Sequence, residues 1–236
     1  MRLDKLLANE DFGSRKEVKK LIKKGSVQVD GEVIKDVSHH VDPNQSEVVV
    51  NGNVIDYREF VYIMLNKPKG VISATEDSRH ECVTDLLDPF YDKYNLFPVG
   101  RLDIDTVGLL LLTNDGELAH QLTSPRKKVD KIYEATINGV VTEEDVQAFK
   151  EGVTLDDGYV TKQAELEVKE TTDEHSWVVV TISEGKFHQV KRMFQARGHE
   201  VQFLKRRQMG SLSLDEQLPL GEYRELTEQE LGQLKT

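Results

Sequence analysis

The sequence has 236 residues, 38% of them hydrophobic, which is enough to bury a core in one large domain with a small appendage. Its single cysteine, Cys82, excludes an internal disulfide, and no run of Cys and His has zinc-site spacing, so we expect a reducing compartment and no structural metal. The formal net charge of -11 argues against non-specific attachment to a polyanion.

The N-terminal segment does not have the pattern of a targeting signal. Residues 1–10 mix charged side chains with leucines, whereas a signal peptide needs an uninterrupted apolar run. Nowhere do about 18 apolar residues follow one another, which is the length a membrane helix needs. We therefore expect a cytoplasmic protein that makes no membrane contact.

Two short helices are predicted at the start of the chain. Leu3, Leu6 and Leu7 recur at helical spacing and Gly13 ends the first helix, while Ser14, with Glu17 three residues on, predicts a capping box that begins the second. Six like charges on the second helix exceed what solubility needs, which favours RNA contact over a merely solvated face. These basic residues are Arg15, Lys16, Lys19, Lys20, Lys23 and Lys24.

Strand-like alternation follows the second helix. It runs through residues 27–33, with a turn at Asp30 and Gly31, and Val48–Val50 ends the module. Residues 1–55 resemble the S4 RNA-binding domain, whose paired helices present basic residues to structured RNA. This resemblance implies an RNA-binding module, with residues 56–60 as a linker.

From residue 61 onward the pattern mixes strands and helices. An apolar strand at 61–65 leads into a loop at 66–70 that carries Lys67 and Lys69. Residues 74–96 are polar and rich in turns, as in a flexible segment over a site. Thr142 and Thr227 are predicted to begin later helices.

The densest motif spans residues 100–116. Its polar loop contains Arg101, Asp103, Asp105 and Thr106 and precedes an apolar strand at 109–112. A rigid strand that supports a polar loop is a common active-site arrangement. Taken alone, either aspartate could equally be a turn-forming residue.

Three motifs in order carry a resemblance to a known family. They read Gly-Arg-Leu-Asp at 100–103, Lys-Ile-Tyr-Glu-Ala at 131–135 and Glu-Gly-Lys-Phe-His-Gln-Val-Lys-Arg-Met-Phe at 184–194. With the loop at 66–70 and the S4-like start, the chain resembles the RsuA family of pseudouridine synthases over nearly its whole length. The resemblance implies an α+β fold, in which a catalytic domain at 61–236 has a mixed, mainly antiparallel sheet flanked by helices. It also implies isomerisation of a uridine in 16S rRNA, of the uridine-516 type, without a cofactor.

The same resemblance assigns catalysis to Asp103, Tyr133 and Lys191. A carboxylate can attack or stabilise an electron-poor sugar carbon, or remove a sugar proton. Lys191 would keep that carboxylate ionised in a pocket that excludes water. Tyr133 would stack on the detached uracil, although its local pattern alone favours a core aromatic.

Further RNA contacts are expected around this site. Lys186 and Arg192 are candidate phosphate contacts. Arg101 is expected to hold a phosphate or to fill the space left by the extruded base, with a salt bridge to Asp105 as the alternative. The remaining predicted RNA-binding residues are His188, Gln189, Lys67 and Lys69.

The expected partner is ribosomal RNA in small-subunit assembly intermediates, with the chain acting as a monomer. The large-subunit branch of the same family stays open, although the spelling of residues 188–191 and the short C-terminus favour the small-subunit branch. A non-catalytic ribosome-assembly factor is a second alternative. A glycosidase using Asp103 and Asp105 is a third, and it is disfavoured because such carboxylates usually come from separate segments.

Overall fold

The computed structural model describes residues 1–43 and 45–235. Within these residues the contacts form two compact units. One contains Met1–Val61 together with Pro89–Asn95, and the other contains Tyr62–Asp88 together with the chain from Leu96 onward. No helix within the two described ranges is both long enough and apolar enough to cross a membrane.

The first unit packs two helices against a small antiparallel sheet. Its elements are α1 (Leu3–Asn9), α2 (Arg15–Lys23), β1 (Val27–Val29), β2 (Glu32–Val33), β3 (Val48–Val50) and β4 (Asn53–Ile55). The strands lie in the order β2-β1-β3-β4. Leu3, Leu6, Leu7, Val18 and Ile22 are all fully buried between the helices and the sheet, as their helical spacing predicts.

The start of α2 shows how local sequence determines an element boundary. The predicted capping box is present, because the Glu17 carboxylate accepts hydrogen bonds from the backbone N–H of Ser14 at 2.7 Å and from its hydroxyl at 2.6 Å. With the apolar side of α2 buried, its five basic residues and Lys24 at its C-cap, six in all, lie exposed on the opposite side. We call these six residues the α2 basic face.

A short 3-10 helix, Pro89–Tyr94, belongs by its contacts to the first unit. The Arg58 guanidinium lies over the rings of Phe90 and Tyr94, and the Lys93 ammonium lies 2.7 Å from a Glu10 carboxylate oxygen. The sequence predicts a flexible segment over the site at residues 74–96. Instead these residues contain two short 3-10 helices, this one and Val83–Leu86, which are anchored by the buried side chains of Tyr94 and Val83.

The second unit is built on a nine-stranded mixed sheet. Its strands are β5 (Tyr62–Lys67), β6 (Phe97–Pro98), β7 (Val107–Thr113), β8 (Lys131–Asn138), β9 (Glu165–Thr171), β10 (His175–Ile182), β11 (Glu200–Met209), β12 (Leu212–Ser213) and β13 (Tyr223–Glu225). Its helices are α3 (Gly116–Thr123), α4 (Glu143–Glu151), α5 (Gln189–Ala196) and α6 (Glu228–Leu234). The predicted α+β class is confirmed.

Among the described strands, one neighbouring pair is parallel, and it lies at the centre of the sheet. The main path runs β13-β5-β7-β11-β8-β10-β9, with β6 on β7 and β12 on β11, and only β7 and β11 are parallel. Gly108 pairs with Arg206 in this register and has a φ of +102°. A Cβ at Gly108 would collide with the backbone oxygen of Arg206, so only glycine allows this close approach. The pair places the end of the 100–106 loop beside β11.

Candidate active site

A buried lysine holds the backbone of the loop that carries Asp103. Lys67, at the end of β5, has no exposed surface, and its ammonium donates to the backbone oxygens of Pro68, Asp103 and Thr106 at 3.0, 3.1 and 3.0 Å. Burial lowers the pKa of this ammonium to about 8. The prediction that Lys67 contacts RNA is therefore wrong, because its donors are already used inside the protein.

Ser73 secures the same loop from a second side. Its hydroxyl donates to the Leu102 carbonyl at 3.0 Å and accepts from the Leu102 N–H at 3.0 Å. The Gly70 N–H also donates to the Ile104 carbonyl at 2.8 Å. Because its backbone is held on both sides, the loop presents the Asp103 side chain in a defined direction.

One lysine forms ion pairs with both aspartates of the loop. The Lys191 ammonium, on the first turn of α5, lies 2.9 Å from Oδ2 of Asp103 and 2.6 Å from Oδ1 of Asp105. Burial opposes ionisation of Lys191 and Asp105, but the hydrogen bonds between them outweigh it, so the pKa of Lys191 is raised and that of Asp105 is lowered. The alternative pairing of Asp105 with Arg101 is not formed, although the structure describes both residues.

His188 brings a second basic group to Asp103. Its Nε2 lies 3.5 Å from Oδ1 of Asp103, on the opposite carboxylate oxygen from the one that Lys191 contacts. His188 is the residue before α5 and has a left-handed backbone, with φ of +49°. This conformation turns the imidazole back toward the carboxylate and stacks it on the ring of Phe187 at 3.8 Å.

The three predicted catalytic residues line one cavity. Its walls include Asp103, Tyr133 and Lys191 together with the apolar side chains of Ile182 and Leu204. Tyr133 comes from β8, where it pairs with Arg206 of β11 and Val180 of β10, and it is largely buried. The structure thus brings together residues from three distant segments, and the apolar walls suit the face of a flat heterocycle.

Gln189 has a different role from the one predicted. Only 3% of it is exposed, and its amide donates to Glu184 at 2.9 Å while its oxygen accepts from the Lys186 N–H at 2.9 Å. Glu184 also accepts from the Tyr159 hydroxyl at 2.7 Å and the Lys162 N–H at 2.8 Å. The expected RNA contact of Gln189 is wrong, because this side chain instead fixes the turn that precedes α5.

Arg192 is also committed within the protein. Its guanidinium pairs with Asp156 at 2.7 Å and with Asp157 at 2.7 Å, and it donates to the Phe187 carbonyl at 3.2 Å. Two carboxylates neutralise this cation, and its side chain is 14% exposed. These contacts contradict a free phosphate-binding role for Arg192 and give it the task of supporting the turn at Phe187.

The other predicted RNA-binding residues are accessible. Arg101 is exposed, lines the cavity and forms no hydrogen bond or ion pair with any residue the structure describes. Lys186 is exposed with its ammonium 4.6 Å from the centre of the Tyr159 ring, and Lys69 is exposed 5.6 Å from the centre of the Phe203 ring. The α2 basic face lies in the other unit and is likewise exposed.

The sequence interpretation missed Arg206. This residue is buried, its Nε donates to the Leu109 carbonyl at 2.9 Å, and its Nη2 has no hydrogen-bond partner among the described residues. It lines a neighbouring open cavity whose walls also include Tyr133 and Lys131. Burial, and then the charge of Arg206, lower the pKa of Lys131. Arg206 is the middle residue of the basic run 205–207, a pattern that predicts surface cations. The side chain is nevertheless buried, and its strand position opposite Tyr133 is set by the sheet register.

Comparison with known proteins agrees with this geometry. The family model described as RNA pseudouridylate synthase matches residues 61–196, and that of the S4 domain matches residues 1–47. The chain belongs to the RNA pseudouridylate synthase family, whose members are isomerases, and it carries an S4 domain.

Similar proteins cover nearly the whole chain. YtzG of Bacillus subtilis (strain 168), an uncharacterized RNA pseudouridine synthase, is 55% identical over 98% of this chain and 97% of its own. Ribosomal small subunit pseudouridine synthase A of Salmonella typhimurium is 42% identical over 98% of this chain and 99% of its own. A solved pseudouridylate synthase matches with a TM-score of 0.68 and 38% identity, and covers 99% of each chain. The family assignment that the sequence motifs predicted, to pseudouridine synthases of the RsuA type, is confirmed.

Proposed function

We propose that this chain converts one uridine of 16S rRNA to pseudouridine, with Asp103 as the catalytic carboxylate. One observation carries the proposal: Asp103, Tyr133 and Lys191 line a single cavity, with the Lys191 ammonium 2.9 Å from the Asp103 carboxylate. The 42% identity to ribosomal small subunit pseudouridine synthase A supports the small-subunit target, and we propose the uridine-516 type of position.

The reaction is an isomerisation in which the uridine exchanges only protons with its surroundings. The N1–C1′ glycosidic bond breaks, the uracil turns in the cavity, and C5 joins C1′. A proton leaves C5 and one is gained at N1, so atoms balance and no redox step occurs. Asp103 either attacks C1′ or removes a sugar proton, and both roles require the ionised carboxylate.

The residues around Asp103 suit these requirements. Lys191 stabilises the ionised carboxylate against desolvation once the base enters. Tyr133 stacks on the uracil while it is detached, and its hydroxyl assists removal of the C5 proton. Because the target must leave its stack to reach Asp103, exposed Arg101 binds a phosphate or occupies the vacated space.

The RNA is also held by the S4 domain in this proposal. We place that domain at residues 1–55, the linker at 56–60 and the catalytic domain at 61–236. The α2 basic face binds phosphates of ribosomal RNA, and the substrate is the RNA in small-subunit assembly intermediates. The chain acts as a monomer in the cytoplasm. Changing Lys16, Lys20 and Lys24 to Gln should lower the slope of log affinity against log salt by about 0.7–0.9 for each phosphate that is no longer neutralised. Lys5→Gln, exposed outside α2, is the matched control.

The decisive test of catalysis is Asp103→Asn. Pseudouridine formation on a 16S rRNA fragment should fall by at least about 10³-fold while RNA affinity stays within about threefold, because the amide keeps the shape but not the charge. Asp173→Asn, which changes an exposed aspartate that does not line the cavity, should behave as the wild type. Undiminished pseudouridine formation by Asp103→Asn would exclude this carboxylate as the catalyst.

The target is tested by mapping pseudouridine in both large rRNAs of a deletion strain. Loss of one 16S pseudouridine, restored by the wild-type gene and not by Asp103→Asn, supports the proposal. Loss confined to 23S rRNA would assign the chain to the large-subunit branch. Treating bare RNA and assembly intermediates side by side with purified protein then identifies the substrate form.

A further inference from the structure

An unusually exposed aromatic ring lies at the edge of the candidate active site. Phe187 is 71% exposed, the highest value among the large hydrophobic residues that the structure describes as exposed. It lines the open cavity that also contains Asp103 and Tyr133. Exposing a phenylalanine forgoes the favourable free energy of burying its apolar surface. One exposed ring is not by itself evidence of a binding site, so its position and its surroundings have to indicate one.

The ring of Phe187 is held in place although its outer face is free. It stacks on the His188 imidazole with an interplanar angle of 18° and 3.8 Å between ring centres. The His188 ring in turn lies 3.5 Å from the Asp103 carboxylate. The orientation of Phe187 is therefore coupled to the group that performs the proposed chemistry.

The backbone of Phe187 is fixed from two directions. Arg192 donates to its carbonyl at 3.2 Å, and the Gln189 side chain accepts from the N–H of the preceding Lys186 at 2.9 Å. Both supporting side chains are themselves anchored, Arg192 by Asp156 and Gln189 by Glu184. A ring that is already held in place loses little conformational entropy when a ligand binds to it, and this low cost favours affinity.

The charges around Phe187 indicate what kind of molecule it meets. The cavity that it lines also includes Arg101, Lys131, Lys162 and Lys186. A flat aromatic face beside several cations is the combination used to bind single-stranded nucleic acid, since bases stack on the ring while phosphates meet the cations. A hydrophobic protein partner would not require this density of positive charge.

We propose that Phe187 is a stacking platform for a nucleobase that flanks the extruded uridine. This inference rests on the proposed function and extends it by assigning a positioning residue for the substrate strand. The stacked pair of Phe187 and His188 carries the flanking base at a fixed place relative to Asp103, which sets the position of the target nucleotide. One face of the Phe187 ring contacts the His188 ring, and the flanking base stacks on the other face.

The test compares RNA binding by Phe187→Ala, Phe187→Leu and Phe187→Tyr with the wild type. Stacking predicts that Ala weakens affinity for a substrate RNA fragment about 5- to 150-fold, that Leu recovers little of it, and that Tyr restores it. The slope of log affinity against log salt should not change, since the same phosphates are still neutralised. Lys186→Met is the contrasting variant, because removing a cation lowers that slope.

A second measurement locates the stacked base. Abasic nucleotides are placed one at a time on either side of the target. At one flanking position the abasic RNA should weaken wild-type binding as much as Phe187→Ala does, and Phe187→Ala should then cause no further loss. Equal losses from Phe187→Ala on every abasic RNA, or full affinity in Phe187→Leu, would overturn the proposal. Affinity is measured separately from turnover. If the wild type bound the RNA but modified no uridine, the proposed function would be refuted, while the binding data would still test the stacking role of Phe187.

Discussion

The buried ammonium of Lys67 donates a hydrogen bond to the backbone carbonyl of Asp103 across 3.1 Å. This contact places a charged side chain beneath the loop whose aspartate faces the cavity. The position of the carboxylate therefore depends on a residue that never meets the substrate.

Replacing Lys67 by methionine tests this dependence. The variant leaves several buried carbonyls without donors, at roughly 1–3 kcal/mol of folding stability for an unsatisfied group. A small displacement of Asp103 should also lower the single-turnover rate at least about tenfold with little change in RNA affinity. Urea unfolding and rapid-quench assays measure the two effects. Lys150→Met, an exposed lysine on α4, is the control, and a wild-type rate in Lys67→Met would contradict the positioning role.

Lys191 forms ion pairs with both Asp103 and Asp105. Replacing Asp105 alone distinguishes the roles of the two carboxylates in activity. Asp105→Asn should keep activity within about tenfold of the wild type, whereas Asp103→Asn should lose at least about 10³-fold. Hydrogen bonds to both aspartates raise the pKa of Lys191 against the effect of burial. Losing one partner lowers that pKa, so the alkaline limb of the rate profile should move to lower pH. A profile identical to the wild type would show that Lys191 does not titrate in this limb.

Gly108 tests the parallel pair at the centre of the sheet. In Gly108→Ala the new methyl group would collide with the backbone of Arg206 at a φ of +102°, and we expect a loss of roughly 2–6 kcal/mol in the free energy of unfolding. Gly116→Ala is the matched control. No atom of a distant residue that the structure describes lies within 4 Å of the methyl group it would add, and its φ is not positive. Equal stability of the two variants in urea unfolding would rule out the close approach.

The C-terminal helix provides a prediction on pH. The Arg224 guanidinium, helped by Thr227 at the start of α6, lowers the pKa of Glu230 from 4.5 to about 2 against the effect of burial. Because the folded pKa lies below the unfolded one, the stabilisation is present above pH 4.5 and is lost as pH falls toward 2. Glu230→Gln should destabilise the protein by about 1–3 kcal/mol at pH 7 and by much less near pH 2.5.

Unfolding of Glu230→Gln is compared with that of Glu228→Gln, an exposed glutamate in the same helical turn. A difference between the two variants that stays constant from about pH 7 to pH 2.5 would show that the ion pair with Arg224 is not its source.

The features that the sequence predicted well are local. Ser14 and Thr227 begin helices because each is followed three residues later by a glutamate that completes a capping box. The buried leucines of α1 follow from helical spacing alone. The three motifs at 100–103, 131–135 and 184–194 likewise identified the residues that meet in the cavity, through their likeness to a known family.

The features that the sequence did not predict depend on contacts between distant segments. Lys67 follows an apolar strand and precedes a turn, where a lysine is normally solvated, and the carbonyls that hold it lie 36 and 39 residues further on. Arg192 meets a pair of aspartates, the first of them 36 residues earlier in the chain. Partners of this kind are set by the sheet register, which periodicity does not reveal.

The parallel alignment of β7 with β11 has a consequence for the newly made polypeptide. Asp103 and Lys191 are 88 positions apart, and the strand that docks beside the aspartate loop ends only at Met209. The α2 basic face, at residues 15–24, precedes all of these segments in the chain. A chain emerging during translation therefore gains its cationic surface long before Asp103 and Lys191 can pair, so nascent protein can meet polyanions before its candidate active site exists.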